Sequence, residues 1–286
     1  MRRVHSHPAC GVRTGDVERS FGNESMTRLQ HDYSDQGRRY DTSRGVSSAV
    51  LAAVKAAIQN APGRALLDVG GGTGNYAAAL RDEGWHPTVL DPSPQMREVA
   101  ALKGLSVIAG EATSLPFSDA SFDAVTLISM LHQVQDWRQA LSEARRVLRP
   151  QGCLAVMGLT FDHLREVTWA FDLFPSMRAL SLPARPSLDQ LCQEAPGTTV
   201  NPVWFEDISD ATIGALCAFP EAMLERARRS QTSFFERLER EHPEELEVGL
   251  RRLRSWLDSG RRPEVERGVA RRRLGDSTVI AWQKPN

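Results

Sequence analysis

Apolar and polar positions along this chain fall into alternating blocks. Residues 49–59 form a helix-favouring run that stops at the breaker cluster Asn60-Ala61-Pro62-Gly63. The short apolar run Ala65-Leu66-Leu67-Asp68-Val69 follows, ends in Gly70-Gly71-Gly72-Thr73-Gly74, and leads into a helical stretch over residues 76–83. A strand, a glycine turn and a helix in that order open a nucleotide-binding βα unit. The alternation then repeats. Strands are predicted over residues 88–90, 105–109, 122–129 and 153–159, with helices over 95–103 and 137–148, the last stopped by Pro150 and Gly152. Residues 122–129 are nearly all apolar, as in a strand buried on both faces. Such alternation predicts a parallel sheet with helices on both sides.

Beyond residue 160 the pattern changes. Residues 161–180 read as a helix rich in aromatics (Trp169, Phe171, Phe174, with Met177), which either walls a pocket or packs on the core. Residues 200–205 form a strand, 212–259 are mostly helical with a break at His242-Pro243, and 278–283 form a final strand.

Composition narrows the classes. The 286 residues suffice for one large α/β domain, alone or with a helical elaboration. A net charge of −1 carries no polyanion-binding signature. The Arg-rich stretches between Glu221 and Gly275 hold 14 Arg against 11 acidic residues, a mixed-charge surface that argues against nucleic acid. Cys10, Cys153, Cys192 and Cys217 have no metal-ligand spacing, so no metal is expected, and they suit a reducing, cytoplasmic setting. No apolar stretch is long enough to span a bilayer. Residues 1–26 are polar without an apolar signal core and are expected to be a disordered leader, with Met26 as an alternative start.

The glycine turn alone leaves two cofactors open. Counted from Gly70, the sixth position is Asn75 and the dinucleotide fingerprint fails; counted from Gly72 it is Ala77 and the fingerprint is met. A nicotinamide-dependent oxidoreductase is therefore one reading. The neighbouring residues point elsewhere. The run from Leu66 to Gly74 resembles the first motif of class I S-adenosylmethionine-dependent methyltransferases, a hydrophobic strand followed by acidic-x-Gly-x-Gly-x-Gly. In order along the chain, four more segments are similar to that family's motifs: Val89-Leu90-Asp91-Pro92-Ser93-Pro94-Gln95-Met96; Gly110 to Phe117; Ser121 to Val125 with Leu131-His132-Gln133-Val134; and Val147 to Gly152.

The resemblance implies a Rossmann-like, seven-stranded, mostly parallel α/β sheet whose last strand is antiparallel, with helices on both faces and a helical cap in the C-terminal part. It implies lid helices over residues 27–60, a cofactor-binding core over 61–160, and substrate-side helices plus the final strands over 161–286. S-adenosylmethionine would be the cofactor. Asp91 would accept both ribose hydroxyls, although Pro92 after it also suits a helix cap. Glu111, where the family usually has Asp, and the Ala112 amide would recognise adenine. Asp68 would hold the loop near the methionine end, or cap the turn. Gly70, Gly72, Gly74, Pro92, Met96 and Ser129 would complete the cofactor site, with Tyr33, Tyr40 and Arg44 in the lid.

His132, after the fourth strand, is the candidate general base, since a free imidazole titrates near pH 6.5; it is equally suited to lining the pocket. His163 and Asp162 are weaker candidates, of the kind that often start helices. The implied function is methyl transfer to an O, N or C atom of a small molecule; the runner-up is the same fold reused as a cofactor-independent cyclase or as a non-methylating subunit. Either a homo-oligomer or a hetero-complex is compatible with the sequence.

Overall fold

The computed structural model describes residues 45–182 and 185–286. The expected leader and most of the expected lid, with Tyr33, Tyr40 and Arg44, lie outside the described residues.

Seven strands form one sheet: β1 (Ala65–Val69), β2 (His86–Leu90), β3 (Ser106–Ile108), β4 (Phe122–Ile128), β5 (Leu148–Gly158), β6 (Thr199–Val203) and β7 (Ser277–Gln283). Their order is β3-β2-β1-β4-β5-β7-β6. The first five pair in parallel, and β7 lies antiparallel between β5 and β6. The sheet expected from the motifs is thus present, including the antiparallel last strand.

The period-2 alternation of strand side chains sorts residues between two cores. Leu66, Ala124, Ala155 and Val279 face one side, where α1 (Ser48–Ile58) packs Val50, Val54 and Ile58. Leu67, Val125, Leu154 and Ile280 face the other, where Ala140, Leu141 and Ala144 of α4 (Trp137–Val147) cover them. Between β1 and α4 run α2 (Asn75–Asp82) and α3 (Pro94–Leu102).

The C-terminal helices are α5 (Phe161–Glu166), α6 (Pro175–Ser181), α7 (Leu188–Glu194), α8 (Ile213–Ala218), α9 (Pro220–Leu224), α10 (Arg226–Arg229), α11 (Ser233–Glu241), α12 (Pro243–Asp258), α13 (Pro263–Glu266) and α14 (Gly268–Leu274), and a third core lies between α5, α6, α8, α9, α11 and α12. Trp169, Phe174, Leu216, Met223, Phe235 and Leu253 are all buried there. Phe174 meets Phe234 and Phe235 edge to face, at centroid distances of 6.1 and 5.4 Å.

Several expected elements differ. The helix over 161–180 is broken into α5, a 3₁₀ turn (Trp169–Asp172) and α6, because Pro175 cannot sit inside a helix and instead takes its first turn. Its aromatics form core rather than pocket wall: Trp169 is buried and donates from Nε1 to the Cys217 carbonyl at 2.8 Å. Strand β5 starts at Leu148, five residues before the expected start, because Leu148 pairs with Phe122 and Gln151 donates to the Lys284 carbonyl at 3.0 Å. Helices α7, α13 and α14 were not anticipated. The break before Pro243 is where it was expected.

Candidate active site

The glycine turn folds back on the end of β2. The Gly70 and Gly71 amides donate to the Leu90 carbonyl at 2.7 and 3.3 Å, and Gly74 donates to the Gly71 carbonyl at 2.9 Å. Two of the glycines are required by space. A Cβ at Gly71 would stand 2.5 Å from Asp68 Oδ2, and one at Gly74, where φ is +75°, would collide with Leu105. The Lys103 ammonium ties the loop down from the end of α3, donating to the Thr73 carbonyl at 2.9 Å and to Asn75 Oδ1, the first residue of α2.

Asp91 follows β2 at the carboxyl edge of the sheet. Its Oδ2 accepts the Gly72 amide at 3.0 Å, and its Oδ1 accepts the Ser93 amide at 2.9 Å. The helix cap of α3 is Ser93, whose hydroxyl accepts from Met96 N at 3.4 Å, so Asp91 braces the cap and is not itself the cap. Each Asp91 oxygen has capacity for another donor. Burial pushes its carboxyl up, against the Ser93 and Gly72 amides and the Arg97 charge, which pull it down. Arg97 also holds the Asp91 and Pro92 carbonyls, at 2.7 and 2.8 Å, and Met96 is buried beneath.

Asp68 lies deeper. It is 2% exposed, and its Oδ1 accepts the Thr126 hydroxyl at 2.7 Å. Burial pushes its carboxyl up to about 7, with the Thr126 hydrogen bond opposing and the charge of Asp91 adding. A buried carboxyl raised this far, at the edge of a ligand-binding sheet, is a candidate functional group.

Glu111 is exposed and Ala112 buried, at the loop after β3. That loop is clamped by a pair the motifs did not flag. Glu143 accepts the Leu115 amide at 2.8 Å, and Arg146 donates to the Phe117 and Leu115 carbonyls at 2.7 and 3.1 Å. The i,i+3 spacing of Glu143 and Arg146 on an amphipathic helix was the available signal.

A pocket opens where β4 and β5 end. Its empty space, mouth included, is about 360 Å³, and it is bordered by Ser129, Met130, His132, Gly158, Thr160 and Arg185. Ser129 sits at φ +54°, held by its amide to the Met157 carbonyl at 2.9 Å. His132 rides on a 3₁₀ turn (Leu131–Gln133) and is half-buried. Met130 joins pocket and glycine turn, lying 3.0 Å from where a Cβ on Gly70 would be. Asp68, Asp91, the glycines, Ser129 and His132 are therefore all carried on the carboxyl ends of β1, β2 and β4, the edge where open α/β sheets bind ligands.

His163 and Asp162 sit at the start of α5, as polar helix-start residues do, and His163 completes the capping box with Thr160. His163 is fully buried; Nδ1 faces the Thr160 amide and hydroxyl at 3.2 and 2.9 Å, and Nε2 faces the Leu274 carbonyl at 2.9 Å. Nδ1 therefore accepts and Nε2–H donates, and burial lowers the imidazole pKa so that it stays neutral. It ties α5 to the end of α14. Asp162 Oδ2 accepts the Leu188 amide at 2.8 Å and starts α7.

Comparison with known proteins accords with this geometry. Residues 67–156 match a methyltransferase domain family. A demethylmenaquinone methyltransferase of Renibacterium salmoninarum is 32% identical over 193 residues, 59% of this chain and 80% of that protein. The chain belongs to the class I S-adenosylmethionine-dependent methyltransferases.

A ubiquinone/menaquinone biosynthesis C-methyltransferase of Brucella abortus is 34% identical to this methyltransferase over 204 residues, 61% of this chain and 76% of that one. In fold, it superposes on a putative methyltransferase from an antibiotic biosynthesis pathway of Anabaena variabilis with a TM-score of 0.69, at 22% identity, over 85% of this chain and 99% of that one. The cofactor of the enzyme is S-adenosylmethionine. The residues suit it: a turn whose glycines leave no room for side chains, and a carboxylate with unfilled acceptor capacity beside it. The nicotinamide reading is set aside. Among the described residues no cluster could hold a metal ion, and no helix is long and apolar enough to cross a membrane.

Proposed function

We propose that this methyltransferase transfers the methyl group of S-adenosylmethionine to a small organic acceptor held in the pocket at the ends of β4 and β5, releasing S-adenosylhomocysteine. The observation that carries the reading is the pocket itself, a concave, mostly apolar space that meets the glycine turn at Met130. The names of the two relatives, for methylation of demethylmenaquinone and for C-methylation in quinone biosynthesis, support an acceptor of small-molecule size.

In this reading Asp91 accepts the ribose hydroxyls, and Glu111 with the Ala112 amide meets the adenine. Asp68 faces the cationic methionine end, while Pro92, Met96, Ser129 and the turn glycines shape the rest. Tyr33, Tyr40 and Arg44, outside the described residues, are assigned to the same cofactor by the family resemblance. The cofactor supplies an electrophilic methyl; the protein holds the nucleophile in line with it and excludes water. His132 takes the proton where the nucleophile carries one. Residues 61–160 form the cofactor-binding part and 161–286 the acceptor side. The burial of Cys153 and Cys217 in the core, as packing residues, accords with a cytoplasmic setting.

Calorimetric titration of S-adenosylhomocysteine into wild type, Asp91→Asn and Asp91→Ala tests this. Two charge-assisted hydrogen bonds to ribose at about 1.5 kcal/mol or more each predict about a 100-fold weaker dissociation constant for Asp91→Ala. Unchanged affinity in both variants would remove Asp91 from the site and with it this placement of the cofactor.

A further inference from the structure

Arg185 contrasts with the half-buried Arg146 and Arg271, which each carry a counter-charge: Arg146 pairs with Glu143 at 2.7 Å and Arg271 with Asp276 at 2.5 Å. Arg185 borders the pocket and forms no ion pair with a carboxylate among the described residues. Among the described residues its one side-chain hydrogen bond is a long one, from Nη1 to the Leu159 carbonyl at 3.3 Å, and its buried Nε has no partner. Two acids of α5, whose start packs against this segment, are engaged elsewhere. Asp162 accepts the Leu188 amide, and Glu166 is paired with Arg165 and Arg273. The neighbouring imidazole of His163 is neutral and already saturated by Thr160 and Leu274.

A guanidinium taken out of water without a counter-charge is costly, and an unpaired buried donor adds to the cost. Such groups persist where a ligand completes them. With that pocket taken as the acceptor site, as proposed above, we propose that Arg185 is the recognition group for an acid on the acceptor: an organic anion, with a carboxylate or enolate oxygen on an apolar ring or chain. The planar fork of the guanidinium fits two such oxygens, and Nε–H, which now has no partner, is one of its donors. The apolar part of the acceptor meets Val156, Leu159, Leu191 and Ile280, while Ser129 and His132 stand at the side that joins the glycine turn. Burial alone lowers the arginine's pKa, to about 10, so the side chain is a full cation at neutral pH.

The test uses two probes of one shape and different charge, 2-naphthoate and 2-naphthamide, titrated into the full chain with and without saturating S-adenosylhomocysteine. The wild type should bind the naphthoate about tenfold or more tighter than the amide, as expected for one charge-assisted pair. Arg185→Met should erase that preference, and Arg185→Lys should keep part of it because the charge remains. Each variant is first checked for S-adenosylhomocysteine affinity and a cooperative melt, so that a misfolded variant is recognised. Should Arg185→Met misfold, the wild-type ratio and Arg185→Lys still decide. A wild type that does not distinguish the probes, or an Arg185→Met that still prefers the naphthoate, overturns the proposal. A wild type that fails to bind S-adenosylhomocysteine removes the cofactor placement, while the probe ratio continues to judge Arg185 on its own.

Discussion

The Asp68 carboxyl should leave a signature in the pH dependence of stability. It is 2% exposed, its Oδ1 accepts from the Thr126 hydroxyl, and burial lifts it from its ordinary 3.8 to about 7. The folded chain therefore holds this proton between pH 4 and 7, where the unfolded chain has released it. Linkage then makes the wild type less stable as pH rises through that window, by about 1.4 kcal/mol per pH unit. Above pH 7 the folded state carries the whole cost of a buried charge, about 4 kcal/mol; at pH 5 it carries about 1.7 kcal/mol.

Asp68→Asn keeps an oxygen for the Thr126 hydroxyl and cannot ionise. A buried amide has its own cost, but that cost is the same at every pH. The informative quantity is therefore the change in the stability difference between variant and wild type, about 2.5 kcal/mol in the variant's favour on going from pH 5 to pH 8. Urea unfolding followed by circular dichroism at both pH values measures it, with unchanged slopes as the check on two-state behaviour. Parallel pH profiles for the two proteins would mean that Asp68 ionises freely in the folded state, and the reasoning from burial would be wrong. A second consequence has the opposite sign. If the cationic end of the cofactor lies beside Asp68, binding should favour the ionised form, so S-adenosylmethionine affinity should rise from pH 5.5 to 7.5 in the wild type and stay flat in Asp68→Asn.

Three further outcomes are expected. A Cβ at Gly158 meets nothing within 4 Å, so Gly158→Val should fill the pocket without moving the strand, abolishing 2-naphthoate binding while S-adenosylhomocysteine binds as before; calorimetry reads both. A Cβ at Gly249 would collide with the Phe174 ring, so Gly249→Ala should cost about 1–3 kcal/mol in urea unfolding, the range for overpacking a core. If His132 is the base, His132→Ala should lower the single-turnover methylation rate about 10²–10⁴-fold and flatten its rise with pH, whereas a pocket-lining residue would change acceptor affinity and leave the pH profile intact.

What could be read from the sequence and what could not divides near residue 160, for a physical reason. Parallel strands buried on both faces need continuous apolar runs, so β1, β4 and most of β5 stand out against the helices between them. Ligand-binding residues of such a sheet sit at the ends of those runs, which put Gly70 to Gly74 and Asp91 within reach of motif reading. The C-terminal part has no such period. Several of its helices are short, α8 and α9 having only 6 and 5 residues, and these are fixed by the aromatic core they share rather than by their own pattern.

Residues whose roles depend on distant partners are equally illegible. His163 looks like a polar helix start next to Asp162, and only its contacts with Leu274 and Thr278, 111 and 115 positions away, make it a structural tie. Arg185 sits beside Pro186 in a stretch without periodicity, and nothing in its neighbours says that it borders a pocket and has no paired acid among the described residues. The cofactor half of the site is thus written in local motifs, because backbone turns make it. The acceptor half is written in long-range packing, because separate segments after β5 assemble it. Swapping the turn residues should therefore alter cofactor affinity in a way sequence anticipates, whereas acceptor choice should follow positions such as Gly158 and Arg185 that only the folded chain brings together.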